Sequence, residues 1–98
     1  MMDIKISAAV GSKLLYKHGV LELEVAECFE NWEGNFLIDD REQHRRYPPT
    51  LWFIAETAKK RLLKVVFQQR GESSHVITVY EPNSDEIRIY EANAGGIK

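Results

Sequence analysis

The stretch from Leu51 to Tyr80, LWFIAETAKKRLLKVVFQQRGESSHVITVY, decides the fold. It holds three runs rich in β-branched and aromatic residues: Leu51–Thr57 (LWFIAET), Leu62–Gln69 (LLKVVFQQ) and His75–Tyr80 (HVITVY). Such residues fit a pleated, half-buried surface. The first run is apolar at consecutive positions and reads as a strand covered on both sides. The connections are short: Ala58–Arg61 is a charged turn, and Arg70–Ser74 contains Gly71. Runs joined so closely form an antiparallel meander, because a parallel return needs a long crossover.

Upstream, Asp39 to Pro49 is polar and basic, closed by Pro48-Pro49, and reads as a loop. Phe36–Ile38 is a short strand candidate. Leu21–Trp32 is the clearest helix: Leu21, Val25, Cys28, Phe29 and Trp32 fall on one stripe, and Glu24, Glu27 and Glu30 make a separate acidic one. Gly34 ends it. An earlier helix is expected over Ala8, Ala9, Val10, Leu14 and Leu15, closed by Lys17-His18-Gly19. Gly11 weakens it. Asp3–Ser7 alternates as an edge strand would, and Ser7 can alternatively cap the helix that follows.

Downstream, Glu81-Pro82-Asn83 breaks the last strand. Asn83 or Ser84 can cap a final helix over Asp85–Ala92, with Ile87 and Tyr90 on its inner side. The predicted class is α+β: two N-terminal helices, an antiparallel sheet of about four strands and one C-terminal helix, in a single domain over residues 1–98.

Composition narrows the function. The chain has 98 residues, 44% hydrophobic and 29% charged, which suits one globular domain rather than a disordered chain. The single cysteine, Cys28, excludes an intramolecular disulfide and a Cys-based zinc site. It falls on an apolar helix stripe and reads as core. No apolar run approaches membrane-spanning length, and the N-terminus lacks the apolar region of a signal peptide. A cytoplasmic protein without membrane contact is the expectation.

The formal net charge of −2 conceals an uneven distribution. Residues 20–40 carry seven acids and no Lys or Arg, whereas residues 41–70 carry eight cations against two acids. A basic segment can present a cationic surface on a mildly acidic chain. Phosphate binding needs that local charge rather than a basic pI.

Nucleotide-binding signatures of the GxGxxG or Walker type are absent, and His18, His44 and His75 fall in three different elements. Asp39-Asp40 with His44 reads as a solvated loop rather than a metal site; neither metal nor cofactor is expected. Lys64 stands in an otherwise apolar strand and must reach water, a partner or a ligand. The Tyr80 hydroxyl needs a partner at the end of the next strand. RNA carries its own nucleophile, the 2′-hydroxyl. An enzyme cleaving it needs a proton acceptor, cations for the developing phosphate charge and a donor for the leaving oxygen. His, Lys, Arg and Tyr cover these roles without metal.

The residues Lys17-His18-Gly19-Val20, followed by Glu24, Ala26 and Phe29, then RLLKVVF (Arg61–Phe67), Arg70-Gly71 and Tyr90-Glu91, carry a resemblance over about residues 13–91. In them the chain resembles the BrnT toxin family, RelE-like ribonucleases of bacterial type II toxin–antitoxin pairs. It is also similar, through LWFIAET and YEPN…EIRIYE, to a neighbouring group of small bacterial proteins of unknown function. Some of that group are described as ADP-ribosyl-dinitrogen-reductase hydrolases, a chemistry for which this chain lacks a carboxylate-rich metal cluster. The resemblance implies a four-stranded antiparallel sheet with two helices before it and one after. It also implies an mRNA-cleaving toxin held by a small DNA-binding antitoxin protein.

On that reading the catalytic candidates are Lys17 for positioning, His18 and Tyr80 for proton transfer, and Lys64 and Arg70 for phosphate charge. Arg41, His44, Arg45, Arg46, Arg61 and Arg88 are candidates for RNA contact. Two departures stand out: Tyr80-Glu81 replaces the arginine that tends to end the last strand, and the final helix is acidic where the family's is usually basic. They motivate the alternative of a non-catalytic protein-binding or regulatory member of the same fold. Such a protein would meet a basic partner or pair through its exposed sheet edge as a homodimer.

Overall fold

The computed structural model of the chain describes residues 3–39 and 48–94. Its elements are β1 (Asp3–Lys5), α1 (Ala8–His18), α2 (Glu22–Asn31), β2 (Leu37–Ile38), β3 (Thr50–Glu56), β4 (Leu62–Arg70), β5 (Ser73–Tyr80) and α3 (Ser84–Ala94).

Local chemistry explains most of the boundaries. The first segment divides the two readings: the strand covers Asp3–Lys5 and stops short of the expected Ser7, which instead caps α1 by accepting the Val10 N–H at 3.1 Å. Gly19 takes the left-handed conformation (φ 63°) and donates to Leu15 O, while Val20 N–H reaches Leu14 O, so the last carbonyls of α1 are satisfied. Leu21 has no side-chain acceptor, but Glu24 Oε1 accepts the Leu21 N–H at 3.0 Å, which forms the reverse half of a capping box for α2. That helix ends at Trp32, not at Gly34: Trp32 turns extended, stacks on Phe53 at 4.3 Å and donates from Nε1 to Asn35 O. Asn83 and Glu86 form a full capping box at the start of α3, each accepting the other's backbone N–H.

Among the described residues the sheet has five strands in the order β1-β5-β4-β3-β2. The meander is antiparallel as expected, with Phe53 opposite Val65 and Val65 opposite Val79. The expected count of about four antiparallel strands is corrected by β1. It pairs with β5 in parallel, Asp3 with Ser73 and Lys5 with His75, and makes the sheet mixed. The outer edge of β5 would otherwise leave a row of unpaired backbone groups, and β1 satisfies part of it. An Asp3–Ser73 side-chain hydrogen bond of 2.8 Å accompanies the pairing. β5 also carries one extra residue, Ile77, between the Val66–Thr78 and Phe67–Val76 pairs.

Alternation gives the sheet two distinct faces. Leu63, Val65 and Phe67 of β4 and Phe53 of β3 face the N-terminal helices. There they meet Leu14, Val25, Cys28 and Phe29, and the rings of Phe29, Trp32, Phe53 and Phe67 pack edge-on and stacked. Cys28 is fully buried, as its place on the stripe implies, and its thiol donates to Ala55 O. Trp52, Lys64, Val66, Gln68 and Tyr80 lie on the opposite face, which α3 covers at one end through the Tyr90–Trp52 contact. Tyr90 is buried and donates to Asn35 O at 2.7 Å, tying α3 to the α2–β2 connection.

Candidate functional site: the cleft beneath the last helix

Lys64 and Tyr80 sit directly opposite each other on β4 and β5. Both point to the α3 side, and both donate to the same oxygen, Glu86 Oε2, at 2.7 Å and 2.9 Å. The Lys64 ammonium also lies over the Trp52 ring, 4.3 Å from its centroid, and 5.5 Å from that of Tyr80. Only 12% of the Lys64 side chain and 20% of Glu86 remain exposed. Burial pushes the Glu86 carboxyl up, but hydrogen bonds from Lys64, the Asn83 N–H and Tyr80 outweigh it and hold the group below its ordinary value. The pair lines a cleft of about 440 Å³ whose apolar walls are Leu37, Ile38, Trp52 and Ile89.

His18 reaches this group from the end of α1, its ring 5.8 Å from that of Tyr80. It is held there by Arg61, which leaves β4's N-terminal turn and gathers the α1–α2 junction. Arg61 Nη1 donates to Gly19 O and to both Glu24 oxygens, Nη2 to His18 O, and Nε to Glu81 Oε2. The hydrogen bond that Arg61 donates to Glu81, then those it donates to Glu24, hold the guanidinium pKa above its ordinary value against the effect of burial. Glu24 is pushed up by burial, but the Leu21 N–H and Arg61 leave it below the ordinary value.

The structure thus brings together His18, Lys64, Tyr80 and Arg61. Lys17 is adjacent in sequence and exposed on the last turn of α1. Arg70 is not part of the group. It stands six residues along β4 from Lys64, about 20 Å at the usual strand rise, and donates to Gln68 Oε1. Arg88 lies on the exposed side of α3, paired with Asp85 at 2.9 Å. Arg41, His44, Arg45 and Arg46, with Asp40, lie outside the described residues.

Glu86 and Trp52 belong to the group and were not singled out by the sequence. One signal for Glu86 existed: Asn83 and Glu86 have capping-box spacing, which fixes Glu86 on the first turn and turns it toward the sheet. Of the outcomes open to them, Lys64 and Tyr80 both take a carboxylate partner, Glu86. Among the described residues no three or more His, Cys, Asp or Glu side chains gather as a metal site, and no helix is long and apolar enough to cross a membrane. Comparison with protein-family models and with curated proteins finds no match to this chain.

Proposed function

We propose that the protein is a metal-independent ribonuclease of toxin type, acting in the cytoplasm and neutralised by a small DNA-binding antitoxin protein. The observation that carries this reading is the convergence of Lys64 Nζ and Tyr80 OH on one carboxylate oxygen, with His18 beside Tyr80. A cation and a hydroxyl aimed at one oxyanion can equally hold a phosphoryl oxygen. Glu86 occupies that position in the resting chain, and substrate binding requires it to give way.

In the reaction the RNA 2′-oxygen bonds to the adjacent phosphorus, and the bond from phosphorus to the 5′-oxygen breaks. The products are a 2′,3′-cyclic phosphate and a 5′-hydroxyl. Lys64 and Tyr80 stabilise the charge on the non-bridging oxygen, while His18 takes the proton from the 2′-hydroxyl and returns it to the departing 5′-oxygen. Lys17 and Arg61 act on the backbone and on the junction that carries His18. The test is induced expression in a bacterial host, scored by growth arrest and by mapping of RNA ends. Loss of one such donor slows comparable reactions by roughly 10²–10³-fold. Lys64→Ala and Tyr80→Phe should therefore abolish the arrest that the wild type causes. A wild type as harmless as both variants, with no new 5′-hydroxyl ends, overturns the proposal.

A second reading, a non-catalytic protein-binding member of this fold, is favoured by one observation. Lys64 and Arg61 are already satisfied by carboxylates, Glu86 on one side and Glu24 and Glu81 on the other. A stoichiometric protein partner recovered without RNA from native extract supports this reading over the first.

A further inference from the structure

At the other end of the same sheet face, three basic side chains from three strands border a second cleft, of about 520 Å³. The register puts them there. Lys5 of β1 pairs with His75 of β5, and His75 pairs with Gln68 of β4, so the three stand in one row on one side of the sheet. Arg70 lies two residues further along β4, on the same side. Neighbouring strands are about 5 Å apart, so the ammonium, imidazole and guanidinium span a mouth roughly 10 Å wide.

Arg70 is aimed rather than free. Gln68 is only 5% exposed, and its amide is fixed by donation from Nε2 to Pro48 O at 3.0 Å. Its Oε1 thereby faces Arg70 and accepts from Nη2 at 2.9 Å. One contact orients the fork and leaves its remaining N–H groups for a ligand. Among the described residues no carboxylate forms an ion pair with Arg70 or His75, but Asp3 pairs with Lys5 at 3.3 Å, accepts from Ser73 Oγ at 2.8 Å and interacts electrostatically with His75. Ile6 and Val10 form an apolar wall with Ile77, the extra residue of β5.

We propose that this cleft binds a phosphate monoester carried on an aromatic or apolar body, the chemistry of a nucleotide bearing a terminal phosphate. The Arg70 fork and the imidazole, with Lys5 shared from its pair with Asp3, supply the donors for the phosphate, and the wall of Ile6, Val10 and Ile77 takes the body attached to it. The inference does not rest on the ribonuclease reading, because the cleft lies about 20 Å along β4 from Lys64.

The test is NMR titration of the full chain with a nucleoside 5′-monophosphate, read at the His75 ring. A saturable shift is expected. The parent nucleoside should give none. Arg70→Ala and Lys5→Ala should each weaken binding about tenfold or more, the loss of one charge-assisted hydrogen bond. Arg70 and Lys5 are exposed, so folding should survive, and a circular dichroism spectrum verifies it. Arg70→Lys, keeping charge without the fork, should fall between wild type and Arg70→Ala. Competition by a 5′-phosphorylated oligoribonucleotide, but not its 5′-hydroxyl form, identifies an RNA end as the source. Competition by the free nucleotide alone identifies a small molecule. Absence of a saturable shift, equal binding of the nucleoside, or unchanged affinity in Arg70→Ala and Lys5→Ala overturns the proposal. Lys64→Ala should leave this titration unaltered, so its outcome stands apart from any result on RNA cleavage.

Discussion

Lys64 and Glu86 meet at 2.7 Å, joining the middle strand of the sheet to the first turn of the last helix. Both groups are mostly withdrawn from water, so removing one partner leaves the other poorly solvated. Lys64→Met should destabilise the fold by about 1–3 kcal/mol, less than a wholly buried pair would lose because some solvent remains. The double variant Lys64→Met, Glu86→Leu should recover part of that loss, since two apolar groups replace two charges. A double-mutant cycle in urea denaturation measures the coupling. Strict additivity of the two substitutions would show the contact contributes nothing.

Acid should attack this contact before it attacks the core. Glu86 and Glu24 are both held below the ordinary glutamate value of 4.5, so the unfolded chain binds protons at these sites more readily than the folded one. Their contribution is complete above that value and is lost as pH falls through the lower folded pKa. The urea midpoint should therefore decline below about pH 4.5. In Glu86→Gln that decline should be shallower, on a lower starting stability. An identical pH profile for the variant and the wild type would remove Glu86 from the account.

Gly71 offers a purely conformational test. It sits at φ 62° at the first central position of the β4–β5 turn, and a Cβ there would meet nothing within 4 Å. Gly71→Ala should thus cost about 1 kcal/mol through backbone strain alone, without any packing penalty. Thermal unfolding reads that cost, and a neutral or stabilising result would mean the turn relaxes into another type.

Cys28 tests the inner layer. Burial, reinforced by Glu24 and Glu27, pushes its thiol up to about 12. A thiolate is the reactive species, so a thiol reagent at neutral pH should label Cys28 only as fast as the fold opens. Labelling should accelerate sharply in urea. Rapid modification of the native chain would show that α2 leaves the sheet more easily than its packing implies.

Much of this arrangement was legible because it is written in local pattern. The LWFIAET and LLKVVF runs, the stripe through Val25, Cys28 and Phe29, and the Gly19 and Gly71 breaks each report on residues close in sequence. What stayed hidden depends on register between distant segments. Nothing in Asp3-Ile4-Lys5 reveals a parallel neighbour seventy residues away, as Asp3 and Ser73 are. The charge blocks were visible, but their destinations were not. Arg61 and Lys64 are consumed by acids from α2, the Glu81 segment and α3, whereas Arg70 is carried along the strand to a different cleft. Strand alternation and the rise per residue already placed Lys64 and Arg70 on one face about 20 Å apart; what they could not show was that Glu86 of α3 would meet Lys64 and that β1 would bring Lys5 beside Arg70.

Arg61 is where the two helices and the sheet are joined, and its chemistry makes a sharp prediction. It is fully charged at any accessible pH, and one planar group serves Glu24, Glu81 and the carbonyls of His18 and Gly19. A lysine has the charge but not the fork, so it can reach one or two of these acceptors. Arg61→Lys should cost about 1–2 kcal/mol, close to the alanine variant, because geometry rather than charge is lost. The released junction should also free His18 from Tyr80. Amide exchange should therefore quicken at Gly19 to Leu21 while the β4 amides stay protected. The His18 ring resonances should shift toward those of a solvated imidazole. Retained protection at the junction in Arg61→Lys would mean that charge alone holds it and that the guanidinium geometry is incidental.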